Sequence, residues 1–196
     1  MMQYMDQELH KEEEEFNAEW EEKLSADKIL LLGLSQSGKT SIIKTVFEGR
    51  SPEDTHNLTA TIRFERIIYS YKDHSICTYD VGGQISYLEE AIEVTKQQVF
   101  SDVKALIFVV DASNIGTFKT SRQYLLRALR NVYEYNDNPG VFIFAHKMDL
   151  ITEEYRKEAI RVFQEYFNLE QYESIQLFQT SIYDDSTLNA IDMILG

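Results

Sequence analysis

Residues 33–40 read GLSQSGKT, which satisfies G-x-x-x-x-G-K-[ST]. Glycine at 33 and 38 lets the backbone wrap closely around an anion, so that successive amides point inward as a nest. Lys39 adds a point charge for β- and γ-phosphates, and Thr40 offers a hydroxyl to Mg²⁺. Ser35, Gln36 and Ser37 along the loop, with Ser41 just behind it, complete a phosphate-contacting set. A second cluster, YDVGGQ (79–84), follows a buried run. Asp80 is placed to hold the Mg²⁺ shell through water, Gly83 to present a bare amide to a γ-phosphate, and Gln84 to orient an attacking water. Together these residues suit transfer of a phosphoryl group to water.

Such groups work only if strand ends hold them. KILLLG (28–33) is a short apolar run, and KTSIIKTVFEG behind it is helical, with Gly49 as its C-cap. TIRFERIIYSYK (61–72) alternates and carries charge, as an edge strand does. SICTYDV, ALIFVVDAS, GVFIFAHKMD and SIQLFQTS are continuous apolar runs, the pattern of strands covered on both faces. Helical patterns fill 85–100, 117–135, 152–167 and 184–195. The alternation predicts an α/β fold: a doubly wound, mostly parallel sheet of six strands with helices on both faces and ligands at the carboxyl ends of the strands.

Composition narrows the class. Two prolines in 196 residues and no Gly/Ser-rich linker suggest one folded unit. The single cysteine, Cys77, rules out a disulfide framework and fits a buried strand position in a reducing compartment. A net charge of −14 argues against nucleic acid or a membrane surface as partner. Residues 1–28 hold ten of the acids against three lysines. Within them Leu9, Phe16, Trp20 and Leu24 form a narrow helical stripe, so residues 1–27 are read as an acidic helical extension and 28–196 as the catalytic domain. The extension docks on its own domain through Phe16 and Trp20, or else binds a partner; the first reading is preferred. No apolar run is long enough to span a membrane, and neither a signal peptide nor a lipidation motif is encoded, so a cytoplasmic protein is expected.

The YDVGGQ stretch resembles the second switch of the GTPase superfamily, nearest its Gα, Arf and Rag branches. HKMDL with histidine where asparagine is usual, TSIYDDSTL (180–188), ATI (60–62) and VGGQISYLEEAIEVTKQQVFSDVKALIFVVDAS (81–113) are together similar to Rag GTPases and their Gtr relatives, over about residues 28–195. The resemblance implies a Ras-like P-loop fold, GTP/GDP and Mg²⁺ as ligands, and a slow GTPase acting as a molecular switch. It places a first switch in NLTATIRFE, where Thr61 or Thr59 would close over Mg²⁺ and the γ-phosphate; Thr61, next to the strand, is preferred. It gives Asp149 the guanine N1–H and 2-amino group, lays the Lys147 stem along the base, and makes the Ser181 amide the donor to guanine O6, with Ile182 beside it. His146 then donates toward the base or the phosphate loop, as asparagine would. Catalysis falls to Gln84, Lys39 and Thr61, and the metal to Thr40, Thr61 and Asp80.

An arginine acting in cis would stand three residues before Thr61, where the chain has Leu58, so hydrolysis without an activating protein should be slow. Rag proteins continue into a roadblock-type dimerisation domain, whereas this chain ends at Gly196. Roadblock proteins or a second GTPase subunit are therefore expected as separate chains, through which the protein would reach a membrane. A nucleotide-locked scaffold with negligible turnover is the competing reading; an ATPase is opposed by Asp149.

Overall fold

In the computed structural model, which describes residues 26–196, six strands form one sheet in the order β2-β3-β1-β4-β5-β6. The acidic extension, with Phe16 and Trp20, lies outside the described residues. The strands are β1 (Asp27–Leu32), β2 (Phe64–Tyr71), β3 (His74–Val81), β4 (Val103–Asp111), β5 (Gly140–His146) and β6 (Ile175–Thr180). All neighbours are parallel except β2, which runs antiparallel to β3 at one edge. Its alternating Phe-Glu-Arg-Ile pattern is what an edge position permits, because one side of the strand meets water.

Two apolar layers sandwich the sheet, and strand alternation sorts residues between them. Ile29, Leu31, Ile107, Val109 and Phe144 face one layer, closed by α1 (Lys39–Val46) and α6 (Ser186–Leu195) through Ile42, Ile43, Ala190 and Ile191. Leu30, Leu32, Leu106, Phe108 and Val110 face the other. There α4 (Phe118–Tyr135) and α5 (Glu153–Phe167) pack, α4 with Phe118, Leu125, Leu129 and Val132 on its buried stripe. Each large side chain so covered contributes about 1.5–3 kcal/mol, which is why the central strands are apolar on both faces.

Two expectations need correction. β6 is the second edge, paired with β5 alone among the described residues, and most of its residues are only partly covered, although Leu177 and Phe178 pack on opposite layers. The helical stretch 85–100 is three pieces: α2 (Ile85–Glu89), a π-helical turn Glu90–Val94, and α3 (Lys96–Phe100). The extra residue of the π turn shows in Thr95 N–H, which donates to Glu90 O at 2.8 Å. Arg127 of α4 clamps this turn, meeting Glu93 at 2.8 Å and both oxygens of Glu89, whose carboxyl it holds down at about 2.

Candidate functional site

β1 ends at Leu32, and the chain then turns through Gly33–Gly38 into α1. Gly33 sits at φ +147, where a Cβ would lie 2.2 Å from Val109 O of the neighbouring strand, and Gly38 sits at φ +106. Both positions therefore require glycine, for conformation and for close approach. Gln36 adopts φ +64 without being glycine. Lys39, at the head of α1, is buried and donates to Gly33 O at 2.9 Å and Leu34 O at 3.1 Å. Burial pulls its ammonium down to about 8, opposed by the Asp80 carboxylate.

Three elements meet at the mouth of this loop. Thr40 Oγ1 donates to Asp80 Oδ2 at 2.5 Å, and Thr61 Oγ1, from the segment before β2, donates to the same oxygen at 3.0 Å. The two hydroxyls are 3.1 Å apart. Thr59, by contrast, is exposed and makes no such contact. Asp80 is 2 % exposed, and its Oδ1 has no partner among the described residues. A buried carboxylate oxygen left unsatisfied beside two hydroxyls is unfavourable standing alone, and this donor set suits a hydrated hard divalent cation such as Mg²⁺.

Gly82 and Gly83 bring the end of β3 against both neighbours. A Cβ on Gly82 would lie 2.5 Å from Thr61 O, and one on Gly83 would lie 2.3 Å from Ser35 N. Ser35 N–H donates to Gly83 O at 2.7 Å, and Gly82 N–H to Arg63 O at 2.7 Å. Gln84 caps α2 through its carbonyl and leaves its side chain exposed. Ser35, Gln36, Lys39, Thr40, Ser41, Thr61, Gly83, Gln84 and Lys147 all line one cavity of about 420 Å³. Arg63, at φ +59, turns away to pair with Glu90 at 3.4 Å.

The other end of the candidate site is built from β5 and β6. His146, 2 % exposed, is held by Nδ1 to Thr180 Oγ1 at 2.9 Å, and its ring lies against Gly38, where a Cβ would come within 2.5 Å of Cδ2. It thus ties two strand ends to the phosphate loop from beneath. Burial, assisted by Lys147, pulls the imidazole down to about 4, so it is neutral near pH 7. Lys147, at φ +63, points its ammonium to Asp111 at 2.7 Å, which stretches the stem along the site wall. Asp149 is fixed by Ser181 Oγ, which donates to Oδ1 at 2.6 Å.

One assignment changes here. The Ser181 N–H, expected to face guanine O6, donates instead to Ser186 Oγ at 2.8 Å. The loop after β6 curls back on α6, since Thr187 Oγ1 also bonds Ser181 O at 2.7 Å. The next amide, Ile182 N–H, has no partner among the described residues and is the one left for such a role, while the Ile182 side chain packs on the core. Asp111, Thr180 and Ser186 were not singled out from sequence. The first two stand at carboxyl ends of parallel strands, where ligands of open α/β sheets gather, and that position was the available signal.

A glycine-rich loop between β1 and α1, one antiparallel edge strand and this ring of strand-end residues define a Ras-like G domain. Residues 28–195 match the Gtr1/RagA G protein conserved region, and the chain belongs to that family. It is 30 % identical over 175 residues to GTP-binding protein GTR1 of Saccharomyces cerevisiae, across 86 % of this chain and 56 % of that protein. It is 31 % identical to GTP-binding protein gtr2 of Schizosaccharomyces pombe, across 86 % and 54 %. The chain thus spans about half the length of these relatives. The Arl6 (BBS3) small GTPase of Trypanosoma brucei, solved with the nucleotide analogue GppNp, superposes with a TM-score of 0.67 at 19 % identity, over 87 % of this chain and 95 % of that one. No helix among the described residues is long and apolar enough to cross a membrane.

Proposed function

We propose that this chain is the nucleotide-binding half of a GTP-dependent switch that hydrolyses GTP slowly to GDP and phosphate and reports its state through partner proteins. One observation carries the reading: Thr40, Thr61 and Asp80 converge within hydrogen-bond distance at the mouth of the Lys39 loop. Three separate elements contribute to that point, so it senses whether a phosphate and its cation hold them together. Bound Mg²⁺ would neutralise charge on the β- and γ-phosphates, and Thr40, Thr61 and Asp80 would hold it.

The chain's own groups account for the rest. Lys39 exchanges its two carbonyl partners for phosphate oxygens, a stronger charge-assisted pairing. Gly83, whose carbonyl now rests on Ser35, presents its amide to the γ-phosphate on a small rotation, and Gln84 orients the attacking water. Asp149 accepts from guanine N1–H and the 2-amino group, with Ile182 N–H toward O6 and the Lys147 stem along the base. His146 supports the phosphate loop, a wall asparagine would otherwise supply.

Leu58 offers no cation and Arg63 is turned to Glu90, so transition-state charge is left for an activating protein. A finger supplied in trans is typically worth roughly 10³–10⁵ in rate. The names of the relatives support guanine nucleotide as ligand; a second GTPase subunit or a roadblock-type protein is the structural partner we infer, with membrane recruitment through it from the cytoplasm. The test is a single-turnover assay with Mg²⁺ and GTP. Stoichiometric binding with a slow release of phosphate is expected. Binding without any phosphate would leave a nucleotide-locked scaffold, and absence of binding would refute the reading.

A further inference from the structure

One contact at the edge of the cavity is used by none of the chemistry above. His56 Nε2 and Tyr183 Oη are 2.5 Å apart, joining residues 127 positions distant in the chain, with ring centroids 6.4 Å apart. The two side chains come from different loops, one before β2 and one after β6. His56 lines the cavity beside Thr55 and Leu58. Tyr183 lies two residues after Ser181, whose hydroxyl holds Asp149.

The backbone on each side is fastened. Before His56, Ser51 caps a short 3₁₀ turn, Pro52–Thr55, and the buried Thr55 donates to Pro52 O at 2.7 Å. After His56 the chain is mostly exposed and irregular as far as Arg63, and this stretch carries Thr61. His56 therefore sits in the last hydrogen-bonded turn, closed by Leu58 N–H on Thr55 O at 3.4 Å, before the threonine that closes on the γ-phosphate. On the other side of the contact, Tyr183 N–H donates to Ser181 Oγ at 3.1 Å, and that hydroxyl donates to Asp149 Oδ1 at 2.6 Å. Tyr183 is thus tied through its backbone to the Ser181–Asp149 pair and through its phenol to His56, at the root of the Thr61 segment.

We propose that His56 and Tyr183 form a latch across the nucleotide mouth that sets the rate of nucleotide release. The inference rests on the guanine-nucleotide reading above. Both side chains are solvent-exposed, so the contact opens readily, and its loss changes release by roughly two- to tenfold, the range one exposed hydrogen bond supplies. Neither residue touches the reacting phosphate, so each acts as a positioning residue.

The experiment preloads the protein with a fluorescent GDP analogue and follows its release after addition of excess unlabelled GDP. Tyr183→Phe removes only the hydroxyl, and His56→Ala only the ring. Each should release nucleotide roughly two- to tenfold faster with an unchanged melting temperature, and the double variant no faster than the faster single one, because both cut one bond. His56→Gln, which keeps an N–H and an oxygen, should restore part of the retention. Release at the wild-type rate in both single variants, or effects that multiply in the double, would overturn the latch while leaving the nucleotide reading intact. Failure of the wild-type protein to load would overturn both.

Discussion

Acidification should unfold this protein more readily than its His146→Asn variant, and the difference can be worked out from the site. The imidazole lies at about 4 in the folded chain against an ordinary value of 6.5, chiefly through burial. Above pH 6.5 both states hold it neutral and it adds no pH dependence. As pH falls below 6.5 the unfolded chain takes up a proton that the folded one refuses, so stability is lost between 6.5 and about 4. At roughly 1.4 kcal/mol per pK unit, the loss is about 2 kcal/mol at about pH 5 and about 3 kcal/mol in full. Asparagine can keep a bond to Thr180 but cannot take the proton. The assay is urea denaturation of both proteins in steps from about pH 7.5 to 4.5, reading the difference in unfolding free energy. Carboxylates titrate in both and cancel in that difference. Parallel curves for the two proteins would refute the assignment of His146 as a buried neutral support of the phosphate loop.

Two further outcomes follow from the phosphate end. Lys39 sits at about 8 without phosphate, and an anion can only raise it. GTP affinity should hold constant below that pH and fall by up to about tenfold per unit above it, as isothermal titration would record; a flat profile between about pH 7 and 9.5 would show that Lys39 does not take up the triphosphate charge. Gln84, exposed and free at the cavity rim, should be dispensable for binding and needed for turnover. Gln84→Leu is expected to keep GTP affinity within a few-fold and to lose most single-turnover hydrolysis, and an unchanged rate would remove Gln84 from the mechanism.

Much of this site was legible because its residues lie close together in sequence or at strand ends. Gly33–Thr40 and Asp80–Gln84 carry their chemistry in local spacing, and apolar runs located the strands that hold them. The choice of Thr61 over Thr59 rested on adjacency to β2, and it is Thr61 that reaches Asp80. What escaped depends on backbone hydrogen bonds between distant residues. Nothing in TSIYDDSTL says that Ser186 will take the Ser181 amide, which moves the vacant donor one residue along. The π turn at Glu90–Val94 left no signal because the buried Leu88, Ala91, Ile92, Val99 and Phe100 recur at spacings that an unbroken helix also gives. The His56–Tyr183 contact joins two surface residues with no local signal at all. β6 read as covered on both faces because Leu177 and Phe178 do pack on opposite layers, but at the sheet edge that cover is only partial.

The most direct test of the guanine reading is the base preference of Asp149→Asn. Ser181 Oγ can still donate to the side-chain oxygen at position 149, as it does to Oδ1 at 2.6 Å, which turns the new amide toward the base. That amide meets the guanine 2-amino group donor to donor, leaving polar groups unpaired at about 1–3 kcal/mol each. Xanthine carries a carbonyl there and accepts the bond. Competition between GTP and xanthosine triphosphate for the variant should show GTP weakened by at least about tenfold and the preference inverted. A variant that still prefers GTP would contradict the account, because Asp149 would then not be the residue that reads the base.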